Sequence, residues 1–377
     1  LHPRPASGRP ARKCFQEAVR IEPTFCEARS NLGRLLAEAG ELEEAEEVYL
    51  KLIEENPQFI PGYLGLGNIF FERASRSPVG SEDEKTYFEQ SKNYYGEALQ
   101  AIKVLQIDER YVAKDLATIL GNLGVVESVL GNIADAEKHL LKSVALDAEQ
   151  TSPRYNLGLF YQRLGRFEEA VIELETAIKL GRKDEMTRMN LGGMYIASYI
   201  ASKKSDHLKK AEEVCAALVS ESGCSLALEN LCSVYYLTKR NDLAKDACEK
   251  VLAKSPDCEF ALGALAMYYE LAGNAAKASE LRTRLLAINP DNFDANYGLA
   301  VSHFKAARWT DAIPPLIKCT KPSLLNTNLV PNAYVRLARC YKYAKEPAKA
   351  FEVIEGGLKR CPGNQLLTIE VDRLAEV

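Results

Sequence analysis

The sequence predicts an all-α chain, a right-handed α-α superhelical solenoid of helical hairpins, and three observations carry that prediction. A tripeptide of the type Asn-Leu-Gly returns at a 34-residue period, an alanine follows its small third residue at a fixed distance of twelve, and glycine or proline marks the places where helices must end. Such an array buries its apolar surface between neighbouring repeats, so 377 residues need no central core.

The period is read from the small residues. Copies of the tripeptide stand at Asn31-Leu32-Gly33, Asn122-Leu123-Gly124, Asn156-Leu157-Gly158, Asn190-Leu191-Gly192 and Asn230-Leu231-Cys232, and looser versions end at Gly67, Ala266, Ala300 and Ala338. Successive third residues are 34, 57, 34, 34, 40, 34, 34 and 38 positions apart. Five equal spacings identify one recurring unit, and the longer ones mark insertions.

Each unit reads as two antiparallel helices. Twelve positions after the small residue come Ala45, Ala136, Ala170, Ala244, Ala278, Ala312 and Ala350. Two helices approach closely only where side chains are tiny, so the small residue and the alanine mark their crossing. Four positions on, a large apolar residue such as Tyr49, Leu140, Leu174 or Leu316 continues the buried face. Gly40, Gly131, Gly165 and Gly273 lie where the first helix stops. Pro23, Pro57, Pro256, Pro290 and Pro362 end the second.

This pattern resembles the tetratricopeptide repeat over residues 11–362. The resemblance implies nine hairpins over 26–362, preceded by the second helix of an incomplete repeat over 11–25. Residues 1–10 are a disordered leader, a fragment edge or a transit-peptide remnant, and residues 363–377 are a capping helix that covers the last apolar stacking face. Insertions fall near 74–85, 99–109, 198–207 and 318–328, the first expected as a polar solvent loop.

Composition narrows the function. With 48 basic and 52 acidic residues, a net charge of −4 and a pI near 5.8, the chain has no general attraction for nucleic acid or anionic membrane, so other proteins are the expected partners. Charged residues break every apolar stretch before the ~18–20 residues that a membrane crossing needs, and no membrane insertion is expected. Ten cysteines without a Cys-x-x-Cys pair argue against a zinc framework and point to reduced thiols, in the cytoplasm or another reducing compartment, an organelle included. His2, His139, His207 and His303 are scattered and form no metal-ligand spacing. The glycines between Gly62 and Gly67 lack the Gly-Lys-Ser/Thr of a phosphate loop. No catalytic residue, metal or cofactor is expected.

The candidate site is the concave groove, which in tetratricopeptide arrays is lined by the first helix of each hairpin. Asn31, Asn122, Asn156, Asn190 and Asn230 recur at one position on that helix and resemble the asparagine ladder of O-linked N-acetylglucosamine transferases, where each amide offers donors and an acceptor to an extended peptide. Asparagine is also simply common at this position, so both roles stay open. Met186, Met189, Ile196, Tyr236, Phe260, Met267, Tyr297, Val301 and Phe304 fall on groove-facing positions of hairpins five to eight, as an adaptable apolar surface or as packing. In the ninth hairpin the same face carries Arg336, Arg339 and Lys342, a clamp for an acidic segment or a solvated stripe. A chaperone-type groove for a C-terminal Glu-Glu-Val-Asp peptide is not matched: Asn68 is suitably placed, but Gly65 occupies its companion position and Ser30 stands where a Lys is expected.

The sequence therefore reads as a protein-interaction scaffold or adaptor subunit of a multiprotein assembly, holding an extended or helical partner segment in the groove. The alternative is the substrate-targeting arm of an enzyme whose catalytic domain lies outside this chain. RNA recognition by related hairpins is disfavoured by the acidic balance.

Overall fold

The computed structural model describes residues 8–106, 112–321 and 329–375, and every regular element among them is an α-helix. The chain divides into two units, residues 1–204 and 205–377. The first holds α1 (Gly8–Ile21), α2 (Cys26–Ala39), α3 (Leu42–Glu55), α4 (Ile60–Arg76), α5 (Glu82–Val104), α6 (Ala113–Leu130), α7 (Ile133–Leu146), α8 (Thr151–Arg163), α9 (Phe167–Lys179) and α10 (Glu185–Ser202). The second holds α11 (Ser205–Ser222), α12 (Ser225–Leu237), α13 (Asn241–Lys254), α14 (Glu259–Leu271), α15 (Ala275–Ile288), α16 (Phe293–Lys305), α17 (Trp309–Cys319), α18 (Val330–Tyr343), α19 (Pro347–Arg360) and α20 (Gln365–Ala375). Within each unit successive helices pack on one another, and alternate helices such as α2 and α4, α6 and α8, or α16 and α18 also touch. That contact pattern is an α-α solenoid, in which each repeat packs on its neighbours.

The small-residue crossings are physical necessities. A methyl group at Gly33 would lie 2.8 Å from the Tyr49 ring, one at Gly124 would lie 2.7 Å from Leu140 Cγ and 3.1 Å from the Ala136 carbonyl, and one at Gly158 would lie 3.0 Å from Leu174. The small residue thus meets both the alanine and the large residue of its partner helix, and Ala45, Ala136 and Ala170 are fully buried. Seven positions after the small residue the first helix turns through a left-handed residue at Gly40, Gly131, Gly165 and Gly273.

The insertion expected as a loop takes a different form, and the one near 198–207 is likewise mostly helical. Residues 74–85 do not form one solvent loop: α4 runs through Ala74 to Arg76, α5 begins at Glu82, and only the short link between them is irregular. Ala74 stands where the other hairpins place their left-handed turn residue, and its burial inside the hairpin favours another helical turn instead. In α10 the helix likewise continues past Tyr199 and stops at Lys203, in the left-handed region with φ 61°. Most of 198–207 is therefore helical. The insertions near 99–109 and 318–328 extend outside the described residues, as do residues 1–7 of the leader, whereas residues 8–10 already belong to α1.

The expectation of reduced thiols fails for one pair. Cys232 and Cys248 are bonded, with Cα atoms 6.1 Å apart. They occupy the small and large positions of one crossing, sixteen residues apart and facing each other across α12 and α13, so two cysteines there meet at bonding distance. At the C-terminal end, α20 packs on α18 and α19 with Leu367 and Leu374 buried.

Candidate partner-binding groove

In the second unit the groove runs along α14, α16 and α18. Along α14, Ala261, Leu262, Leu265 and Ala266 are buried, while Phe260, Gly263, Ala264 and Met267 share the opposite face at helical spacing. Along α16, Asp294, Tyr297, Gly298, Val301 and Lys305 fall on one face by the same spacing. These two faces and Arg336 of α18 line a cavity of about 630 Å³. Phe260 and Met267 remain about two-fifths exposed at its wall, and Gly263 and Ala264 keep the floor low enough for a chain to enter.

Five of the sequence-selected residues, Phe260, Met267, Tyr297, Val301 and Arg336, thus meet in one cavity. Phe304 lies beside it, edge-on to Trp309 at 4.9 Å, and Trp309 in turn packs 4.5 Å from Tyr343. Tyr236 is exposed, and its hydroxyl donates to Met267 Sδ at 3.3 Å. Met186, Met189 and Ile196 are carried by α10 of the first unit: Met186 is exposed, Met189 half-buried and Ile196 buried. Ile196 is therefore core, because it turns into the α10 packing face beside Tyr195 and Met194.

The basic stripe is not a free clamp. Arg339 donates twice to Glu370 of α20, at 2.8 and 2.6 Å, and Lys342 donates to the Arg373 carbonyl at 3.0 Å. Both close the capping helix onto α18, because Glu370 is buried and needs a cation there. The hydrogen bond from Arg339 to Glu370 also holds its guanidinium more firmly protonated than usual. Arg336 differs. Its Nε donates to the Tyr297 hydroxyl at 3.1 Å, and its guanidinium lies over the Tyr297 and Phe304 rings at 5.8 and 5.4 Å.

The asparagine ladder serves mostly to join helices. Asn122 donates to Asn68 Oδ1 at 3.0 Å, which also accepts from the Tyr95 hydroxyl, and Asn190 donates to the Tyr155 hydroxyl at 3.1 Å. Asn31 donates to the Glu27 carbonyl of its own helix, and Asn230 hydrogen-bonds Cys215. Asn156 is half-buried. Burial pushes the Cys215 and Cys319 thiols up to about 12 and Cys340 to about 11, which leaves these sulfurs protonated and poor nucleophiles.

Sequence reasoning missed Arg282. It lies four residues after Ala278, in the slot that holds Tyr49, Leu140, Leu174 or Leu316 elsewhere, and it is only 7% exposed. A methyl group at Gly298 would overlap its guanidinium. The signal was available as a charged residue in an otherwise apolar register.

Family models of the tetratricopeptide repeat match residues 14–47, 152–184 and 263–318. The chain is 24% identical over 331 residues to human protein O-mannosyl-transferase TMTC3, covering 78% of this chain and 35% of that one. It is 23% identical over 189 residues to human tetratricopeptide repeat protein 6, covering 47% and 36%. The chain spans about a third of the length of the curated relatives it matches. Among solved structures, the thermophilic repeat protein TTC0263 of Thermus thermophilus shares 24% identity with a TM-score of 0.42 over 48% of this chain and 88% of that one. Yeast Tom70 shares 12% with a TM-score of 0.46 over 98% and 92%. No helix among the described residues is long and apolar enough to cross a membrane. With repeats matched near its start, middle and end, the chain carries tetratricopeptide repeats.

Proposed function

We propose that this chain is a scaffold or adaptor of a multiprotein assembly and that the groove of α14, α16 and α18 holds a segment of its partner. The observation that carries the reading is the convergence of Phe260, Met267, Tyr297, Val301 and Arg336 on one open cavity. Charged side chains would solvate a concave wall better than a phenyl ring and a thioether do, and large exposed apolar groups in a concavity gain most when a partner desolvates them. A buried aromatic anchor commonly costs ~2 kcal/mol on truncation, about thirtyfold in affinity. Phe260→Ala with Met267→Ala should therefore remove specific partners in quantitative affinity capture and leave the thermal midpoint near wild type. Capture of the same proteins at the same level by the variant would defeat the reading.

A second reading draws on the likeness to an O-mannosyl-transferase, of which this chain matches 35%. In that case the repeats are the substrate-targeting arm of an enzyme whose catalytic domain lies elsewhere, and the same groove receives the substrate.

A further inference from the structure

Two guanidiniums of the groove, Arg282 and Arg336, keep hydrogen-bond donors without acceptors. Arg282 sits in a slot that is apolar in the other hairpins, one of its nitrogens engaged by Glu270. Its Nη1 is buried and has no hydrogen-bond partner. Taking a guanidinium out of water without satisfying its donors costs stability, and an apolar residue of similar volume would fill this position more cheaply. Gly298 leaves the room that the guanidinium occupies, so the slot is fitted to an arginine.

Arg336 lines the same cavity. Tyr297 fixes its Nε, and two aromatic rings hold the guanidinium plane, while its terminal nitrogens pair with no carboxylate among the described residues. The nearby acids are largely committed already. Glu270 takes Arg282 and Lys305, and Glu259 takes the amides of Asn289 and Asn292. Asp294 also lines the cavity but pairs with neither arginine, so what the two guanidiniums lack is an acceptor, and a carboxylate satisfies a guanidinium fork better than a neutral oxygen does.

We infer that the partner segment is acidic: an extended peptide that places an Asp or Glu carboxylate between Arg336 and Arg282 and an adjoining large apolar side chain between Phe260 and Met267. This rests on the groove reading above and adds the partner's chemistry. Arg336 is an orienting contact at the cavity wall, and Arg282 meets the carboxylate from the floor.

The test uses the full chain and two labelled pools of short synthetic peptides, one with a central Glu flanked by Leu, Ile or Phe, the other identical but with Gln for Glu. Fluorescence anisotropy should show the Glu pool binding about tenfold tighter or better, the range of one charge-assisted hydrogen bond. That preference should vanish in Arg336→Gln and in Arg282→Leu. Arg282→Leu should keep or raise the thermal midpoint, because Glu270 is partly exposed and retains Lys305. If both pools bind wild type equally and both weaken in Phe260→Ala, the acidic preference is wrong and the groove stands. If neither pool binds, or if binding ignores Phe260→Ala, the groove reading falls and this inference falls with it. Should Arg282→Leu unfold the protein, Arg336→Gln decides alone: a preference kept in that variant overturns the proposal.

Discussion

The two units are built on one repeat and depart from it differently. In the first, glycine holds the close crossings at Gly33, Gly67, Gly124 and Gly158, and the turns at Gly40, Gly131 and Gly165 take φ of 88°, 86° and 72°. In the second, Cys232, Ala266, Ala300 and Ala338 hold the crossings. Its turns put Lys239, Ala307 and Lys345 at φ of 59°, 56° and 63°, with only Gly273 keeping the usual residue. A side chain in that region costs roughly 1–2 kcal/mol, so the second unit stores at three hairpin turns a strain that the first meets only where its repeat is interrupted, at Gln106 and Lys203 with φ of 51° and 61°. It also buries an arginine in its core register. The unit that carries the Phe260–Met267 cavity is thus the one whose hairpin turns and core register depart more often from the local rules, as expected where surface chemistry rather than stability sets the residue.

The largest expected effect concerns the staple that offsets this weakness. Cys232–Cys248 closes a sixteen-residue separation, and a loop of that size is worth about 3 kcal/mol in the chain-entropy model. Reduction should therefore loosen α12 and α13, seen as faster hydrogen exchange there, and leave α6 to α9 unchanged. Alkylation of the denatured, unreduced chain should modify the eight free cysteines and spare these two. Ten modified cysteines would remove the staple from the comparison.

A smaller effect separates crossings from groove floor. Gly124→Ala pushes a methyl against the Ala136 carbonyl and Leu140 and should cost about 2 kcal/mol, whereas at Gly263 the nearest atom is 3.7 Å away. Gly263→Ala should instead gain up to about 1 kcal/mol from helix propensity. Equal responses in chemical denaturation would show that the glycines of the two units do the same job.

These contrasts also explain what the sequence made legible. The crossings were readable because a backbone contact between Gly124 and Ala136 excludes every large residue, which stamps a period on the chain. The lengthening of α4 was not, since Ala74 belongs equally well to a loop or to another helical turn until its burial is known. Arg336 and Arg339 look alike on one helix face. Only tertiary structure reveals that Glu370, 31 residues on, takes Arg339 and leaves Arg336 to the groove. Ile196 was misassigned for a related reason: helical spacing gives a face, and only the packing of α10 shows that Ile196 lies on its buried side.

The smallest effect tests the strained turns directly. In each of Lys239, Ala307 and Lys345 the backbone N–H bonds to a carbonyl three residues back, at Tyr236, Phe304 and Lys342, so the turn's hydrogen bond survives any side-chain change. Glycine relieves the left-handed penalty of roughly 1–2 kcal/mol but returns part of it as extra freedom in the unfolded chain. The net gain for Lys239→Gly, Ala307→Gly or Lys345→Gly should be about 0.5–1 kcal/mol each, against a loss of about 1 kcal/mol for Gly131→Ala in the first unit. Urea unfolding midpoints of the single variants measure both signs. The three gains should add, because the turns belong to separate hairpins. If the three substitutions destabilise the protein, the strain is not what distinguishes the units, and the difference must lie in the crossings alone.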